Sequence, residues 1–174
     1  MEEQRAAHAA ELYALLTESA LHEFTDSDPP SSAEWLEARF RRLENRCSPD
    51  GTQQWLNWVI RTAEGKAAGY VQATVNAEGS AEIAFVLGLP YWGRGLAEMA
   101  SAQMMDILVR RHGVTRFTAT ADTRNARSVR LLERLGFKRV GSGDSRDASF
   151  ECRAAAIRAP RKAPSPPERE SRQA

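Results

Sequence analysis

Cysteine is scarce: Cys47 and Cys152 are the two present in 174 residues, and they lie far apart with no CxxC or Cys/His spacing. A disulfide framework and a zinc site are therefore not expected, and a reducing, cytoplasmic setting is. Long apolar runs are also lacking. None approaches the roughly 20 residues that span a bilayer, so no membrane partner is expected. Charge of one sign is not in excess either, because 24 Lys and Arg stand against 23 Asp and Glu for a formal net charge of +1. That balance gives no electrostatic ground for nucleic acid or anionic lipid as a partner. The start, Met1-Glu2-Glu3-Gln4-Arg5, is acidic and runs into an amphipathic pattern, unlike the basic region and apolar core of a secretion signal. What is present, ordinary apolar content with mixed charge, suits one globular domain of usual size.

Hydrophobic periodicity organises that domain. Ala9, Leu12, Leu15 and Leu16 predict a helix over roughly His8 to Thr17. After Pro29-Pro30, Ser31 and Glu34 have the spacing of a capping box, and Leu36, Phe40 and Leu43 line one face of a second helix. The period then changes. Trp55–Ile60 and Ala68–Val75 read as a β-hairpin closed by Ala63-Glu64-Gly65-Lys66, and Ala81–Leu87 reads as a third strand. Leu96, Ala100, Met104, Ile107 and Leu108 then mark a helix that ends in Arg110, Arg111 and His112 before Gly113. Val114–Ala119 predicts a strand, and Asn125 opens a helix that Gly136 closes. Phe137–Val140 and Ala148–Cys152 predict two short final strands. The domain is expected over 1–158, with a disordered, proline-rich tail over 159–174 that has too few apolar residues to order itself.

Between the third strand and the third helix stands Tyr91-Trp92-Gly93-Arg94-Gly95-Leu96-Ala97. The first N–H groups of a helix lack internal partners and sit at the positive end of its dipole, so a glycine-rich entry lets phosphate approach the backbone. Arg94 adds charge. A Walker A loop needs Lys-Ser/Thr after its last glycine, where this chain has Leu96-Ala97. A dinucleotide fingerprint needs a third small residue where this chain has Glu98, and the preceding strands read as antiparallel. On these residues alone a simple tight turn stays open.

Taken in order, Ala81–Leu87, Tyr91–Ala97, Asn125-Ala126-Arg127-Ser128 and Leu131-Leu132-Glu133-Arg134-Leu135-Gly136-Phe137 resemble the GNAT N-acetyltransferases, and within them the RimJ/RimL-like branch. The resemblance runs from about Trp55 to Val140. It implies an α/β (α+β) fold whose mixed, mostly antiparallel sheet is flanked by helices and splayed at its central strands. It also implies acetyl-CoA as donor, with no metal. Its pyrophosphate would lie on the backbone amides of Gly93, Gly95, Leu96 and Ala97 beside Trp92 and Arg94, and its pantetheine along Phe85, Val86 and Leu87. Two departures accompany the match. The strand that usually precedes the first helix has little room here, so the expectation is either that this start is late or that one edge strand is missing. Leu132 stands where many relatives carry a tyrosine acid.

Acetyl transfer to an amine needs a free nucleophile, oxyanion stabilisation and a proton for the departing thiolate. Ser128, one turn before Leu132, is the candidate acid; it can equally serve only the helix start. Asn125 has the form of an N-cap, and the resemblance also places it beside pantetheine. Glu82 is the candidate base, the alternative being an outward-facing strand residue. His8, His22 and His112 read as structural, and Trp35, Trp55, Trp58 and Tyr70 as core aromatics. The acceptor is expected to be a protein N-terminus or a small-molecule amine, met by the first two helices and Leu21–Pro30, where Glu23, Asp26 and Asp28 lie. The chain is expected as a monomer or homodimer. One alternative function is a catalytically weak acyl-CoA-binding or regulatory module, which Leu132 favours; another is an interaction protein acting through its tail.

Overall fold

In the computed structural model, which describes residues 1–25, 27–141 and 146–158, the chain begins with β1 (Glu2–Glu3), α1 (Ala9–Leu16) and α2 (Ala33–Leu43). A meander of β2 (Gln53–Arg61), β3 (Ala67–Asn76) and β4 (Ser80–Leu87) follows, then α3 (Leu96–His112), β5 (Arg116–Asp122), α4 (Ala126–Leu135), β6 (Lys138–Val140) and β7 (Asp147–Arg153). The strands form one sheet in the order β1-β2-β3-β4-β5-β7-β6. All neighbours are antiparallel except β4 and β5, which are parallel.

The parallel pair creates the opening on which the site depends. Pairing covers Ser80–Arg116, Ala81–Phe117 and Glu82–Thr118, after which β4 continues to Leu87 and β5 to Asp122 along separate paths. The splay expected at the central strands is thus present. Beyond Glu82, β4 is supported by β3 alone, and there Gly69 is required. At φ +154° it brings the strands so close that a Cβ would lie 2.1 Å from the Val86 carbonyl oxygen and 2.8 Å from the Leu87 Cα. The Gly88 N–H bonds the Ala68 carbonyl at 2.8 Å in the same place.

Alternation along the strands divides the sheet into two faces. Leu56, Trp58, Val71, Ala81, Ile83, Phe117 and Phe150 pack with Met104, Leu108, Leu132 and Leu135 of α3 and α4 into the main core. On the opposite face Val59 and Ala67 meet Leu12, Leu16, Leu36 and Phe40 of α1 and α2, with Tyr70 and Val86 at the margin.

Several sequence expectations shift. The first helix begins at Ala9, after a 3-10 turn at Ala6–His8. A short edge strand is present ahead of it: Glu2 pairs with Val59 and Glu3 with Trp58. Ser32, not Ser31, caps α2, accepting the Trp35 N–H at 3.1 Å, because the cap must sit three residues before the amide it satisfies. Trp35 is not a core aromatic; it is 45% exposed, with the Arg39 guanidinium 5.9 Å from its ring centre. Gly113 and Gly136, both left-handed, end α3 and α4 as expected. The tail over 159–174 and Asp26 lie outside the described residues. No described helix is long and apolar enough to cross a membrane.

Candidate functional site

A cleft of about 580 Å3 opens where β4 and β5 part. One wall is the end of β4, Phe85, Val86 and Leu87, continuing into Trp92, Gly93, Gly95, Leu96 and Ala97. The second is α4, through Asn125, Arg127, Ser128, Arg130, Leu131 and Arg134. The third is the α1–α2 connection, through Ala20, Leu21, Phe24 and Thr25. Residues expected at the site from three separate stretches of sequence therefore meet around one space.

The backbone of the corner suits an anion. Gly93 and Gly95 adopt φ +75° and +74°, a left-handed backbone that only glycine takes without strain, and nothing lies within 4 Å of the positions their Cβ atoms would occupy. Gly95 is the N-cap of α3, a helix of 17 residues, with no side-chain cap. No N-cap side chain covers the Leu96 and Ala97 N–H groups, and the dipole lies behind them. Glu98, third in this helix, would oppose an anion. Its side chain is 9% exposed and pairs with Arg134 Nε at 2.8 Å, which cancels its charge and ties α3 to α4.

Trp92 fixes the corner to the strand: its indole N–H donates to the Leu87 carbonyl at 2.6 Å. The Arg127 guanidinium stacks on the Trp92 ring, 3.7 Å from its centre, a geometry in which cation–π attraction is strong. Arg130 is also in the wall, so Arg127 and Arg130 line the cleft with positive charge beyond Arg134, which Glu98 neutralises. Arg94 is not part of the wall; its guanidinium lies 5.8 Å from the Tyr91 ring centre.

The candidate acid is better separated from its alternative role by geometry than by sequence. The Asn125 side chain accepts the Ser128 backbone N–H at 3.1 Å, so Asn125 is the cap and Ser128 gives it only main-chain hydrogen. The hydroxyl is not consumed by the helix start, and Ser128 lines the cleft. Leu132, one turn on, does not reach the cleft. It is 1% exposed in the main core, and the cleft side of the next turn belongs to Leu131. Glu82 is exposed and lies at the last paired position before the gap. By alternation it faces with Val86 toward the α1–α2 side, and it is not in the cleft wall.

Sequence reasoning missed Asp122, at the end of β5. Its carboxylate accepts from Arg124 and Arg146, both at 2.8 Å, and these hydrogen bonds, Arg124 first, hold its pKa far below the usual carboxylate range. It also missed Arg127 and Phe24, whose roles come from contacts between distant segments. Among the described residues no group of three or more His, Cys, Asp or Glu is arranged to hold a metal.

A family model described as an acetyltransferase (GNAT) domain matches residues 1–138. No curated protein matches the sequence. Among solved structures, a spermidine N-acetyltransferase from Vibrio cholerae in complex with CoA and spermine aligns with a TM-score of 0.71 at 17% identity, over 89% of this chain and 95% of that one. An acetyltransferase (GNAT family) from Bacillus anthracis aligns at 0.70 and 15%, over 88% and 93%. One of the GNAT family from Streptococcus pneumoniae aligns at 0.64 and 23%, over 87% and 96%. At these identities the likeness is one of fold.

Proposed function

Since this chain belongs to the GNAT acetyltransferase family, we propose that it transfers the acetyl group of acetyl-CoA to a primary amine, carried by a small molecule or a protein N-terminus. The observation that carries this reading is the convergence of the α3 N-terminus, the end of β4 from which β5 has parted and Ser128 on one cleft. Trp92 at the corner and Ser128 on α4 support a place in the RimJ/RimL-like branch. A single catalytic domain over 1–158, a cytoplasmic location and a monomeric or homodimeric state belong to the same proposal.

The residues present fit the donor. Gly93 and Gly95 leave room at the corner, the amides of Leu96 and Ala97 begin the helix, and Arg127 and Arg130 bring cationic charge to suit phosphates. The edge of β4 at Phe85–Leu87 offers main-chain groups to an extended chain bearing amides. When bound, acetyl-CoA supplies an activated thioester. The remaining work falls to the chain. With the donor bound, the amine nitrogen would bond to the acetyl carbon as the C–S bond breaks, Ser128 Oγ–H would pass a proton to the sulfur and regain one from water, and the amine's surplus proton would go to water or, through water, to Glu82. An α-amino acceptor, with a reference pKa near 8, needs little help from a base, whereas a lysine-like amine near 10.4 needs more.

A second reading, a weak acyl-CoA-binding or regulatory module, is favoured by Leu132, which puts an inert, buried side chain where many relatives have an acid. Calorimetry with acetyl-CoA on the wild-type chain and Gly95→Glu tests the common premise. The carboxylate should weaken binding by ~100-fold or more through bulk and charge. Release of free CoA thiol in the presence of amines then separates the two readings. With an enzyme, Ser128→Ala lowers kcat by ~10- to 100-fold while leaving the affinity for acetyl-CoA unchanged. No turnover with any amine, but intact binding, favours the module. No binding by a folded wild-type chain removes both.

A further inference from the structure

Neither Asp122 nor Arg124 lines the cleft, yet together they join three segments around it. The Asp122 side chain is 1% exposed, and a carboxylate withdrawn from water must be paired and hydrogen-bonded. Its Oδ1 accepts the Arg124 backbone N–H at 2.8 Å, and its Oδ2 accepts Arg124 Nη2 and Arg146 Nε, both at 2.8 Å. The fork of bonds leaves the Arg124 guanidinium little freedom. That guanidinium lies 5.8 Å from the Phe24 ring centre, and Phe24, with Leu21 and Thr25, is the cleft wall contributed by the α1–α2 connection. Asn125, the cap that orients Ser128, follows directly, and its N–H bonds the Asp122 carbonyl at 2.9 Å.

We propose that Asp122 is a positioning residue for the acceptor: through Arg124 it holds Phe24 and the segment around it as one wall of the cleft. The tether stands on these contacts, while its meaning for the acceptor rests on the function proposed above. Loosening it weakens acceptor binding and spares the cofactor corner, which is built from α3 and β4.

The test compares the full chain with Arg124→Met and Asp122→Asn. Arg124→Met removes the cation at a largely exposed side chain and leaves Asp122 paired with Arg146, so it keeps the proposal testable if Asp122→Asn folds poorly. Amide hydrogen exchange over residues 21–25 should rise by roughly 3- to 10-fold in Arg124→Met, the scale of one cation–π contact, with α3 and α4 unchanged. Calorimetric affinity for acetyl-CoA should stay within about twofold, since the phosphate corner is untouched. With spermine and a short peptide bearing a free N-terminus as amine probes, KM should rise and kcat hold for whichever is turned over. Unchanged exchange over residues 21–25, or a fall in kcat with KM unmoved, overturns the proposal. A wild-type chain that does not bind acetyl-CoA defeats the function instead, and the exchange result still decides the tether.

Discussion

On the α3–α4 face the strands send alternate apolar side chains into one continuous core, from Leu56 and Val71 to Phe117 and Phe150. On the α1–α2 face apolar packing ends at Val59, Ala67, Tyr70 and Val86, and the cross-strand row Thr74, Glu82, Thr118, Glu151 is polar. Around its smaller apolar cluster the second face is also fastened by charged side chains. Glu11 accepts from Arg61 at 2.6 Å and from the Ala67 N–H at 2.7 Å, Glu44 accepts the Ala6 N–H at 2.6 Å, and Arg124 covers Phe24. Dense packing suits the side proposed to hold a phosphate corner rigid. Individually weak, rearrangeable contacts suit the side where an acceptor is proposed to enter.

Gly69 belongs to both faces, because the β3–β4 pairing that it permits supports the cleft strand itself. Gly69→Ala should therefore erase the difference between them. With backbone atoms 2.1 and 2.8 Å from the added carbon, the strands must separate at a cost of about 3 kcal/mol or more. Far-UV circular dichroism during urea unfolding would show it; a midpoint near wild type would mean that β4 can shift without harm.

Leu132→Tyr probes the packed face alone. The hydroxyl would enter a core where Leu132 is 1% exposed, costing about 1–3 kcal/mol by overpacking. It should not accelerate CoA release, because this side chain is buried in the core and is not part of the cleft wall. A faster variant with unaltered stability would show that α4 can turn its face.

The packed face is also the one that was legible in the sequence. Leu96 to Leu108 recur at helical spacing, Gly113 and Gly136 end their helices, and Asn125 begins one, so local chemistry and position sufficed for α3, α4 and the corner. Ser32 was misplaced by one residue because two adjacent serines satisfy the same rule, and hydrogen-bond geometry alone separates them. Trp35 looked like core by composition, but the apolar stripe of α2 is already supplied by Leu36 and Phe40. Asp122, Arg127 and Phe24 stayed hidden for a deeper reason: each acts on a residue far along the chain, and periodicity carries no information about such pairs. Glu82 was recognisable as a strand carboxylate, while its place at the edge of the gap depends on where β4 and β5 stop pairing.

On the ion-fastened face, Glu11→Ala removes both the bond to Arg61 and the acceptor of the Ala67 N–H. Because Glu11 is largely solvated, the loss should be about 1 kcal/mol or less. Urea midpoints at low and high salt would show the difference shrinking with salt if the ion pair dominates. A loss as large as that of Leu132→Tyr would mean that the two faces are not fastened differently after all.

The smallest effect concerns His112, the last residue of α3, where the helix dipole favours a cation. Its pKa is nevertheless lowered, first by partial burial and then by repulsion from Arg46 and Arg111. Its Nδ1 lies 2.8 Å from the Gln54 side-chain oxygen. A folded-state pKa below the ordinary value of 6.5 means that the unfolded chain takes up this proton first as pH falls. Stability from this group is therefore full above that value, declines as pH drops through it, and levels off once the folded protein is protonated as well. The wild-type chain should lose on the order of 1 °C of Tm between pH 7.5 and 5.5 that His112→Gln does not lose. An identical pH slope in both would show that His112 titrates alike folded and unfolded. A slope of opposite sign would show that the dipole outweighs burial and the two arginines, and that this end of α3 is more open to solvent than the rest of its face.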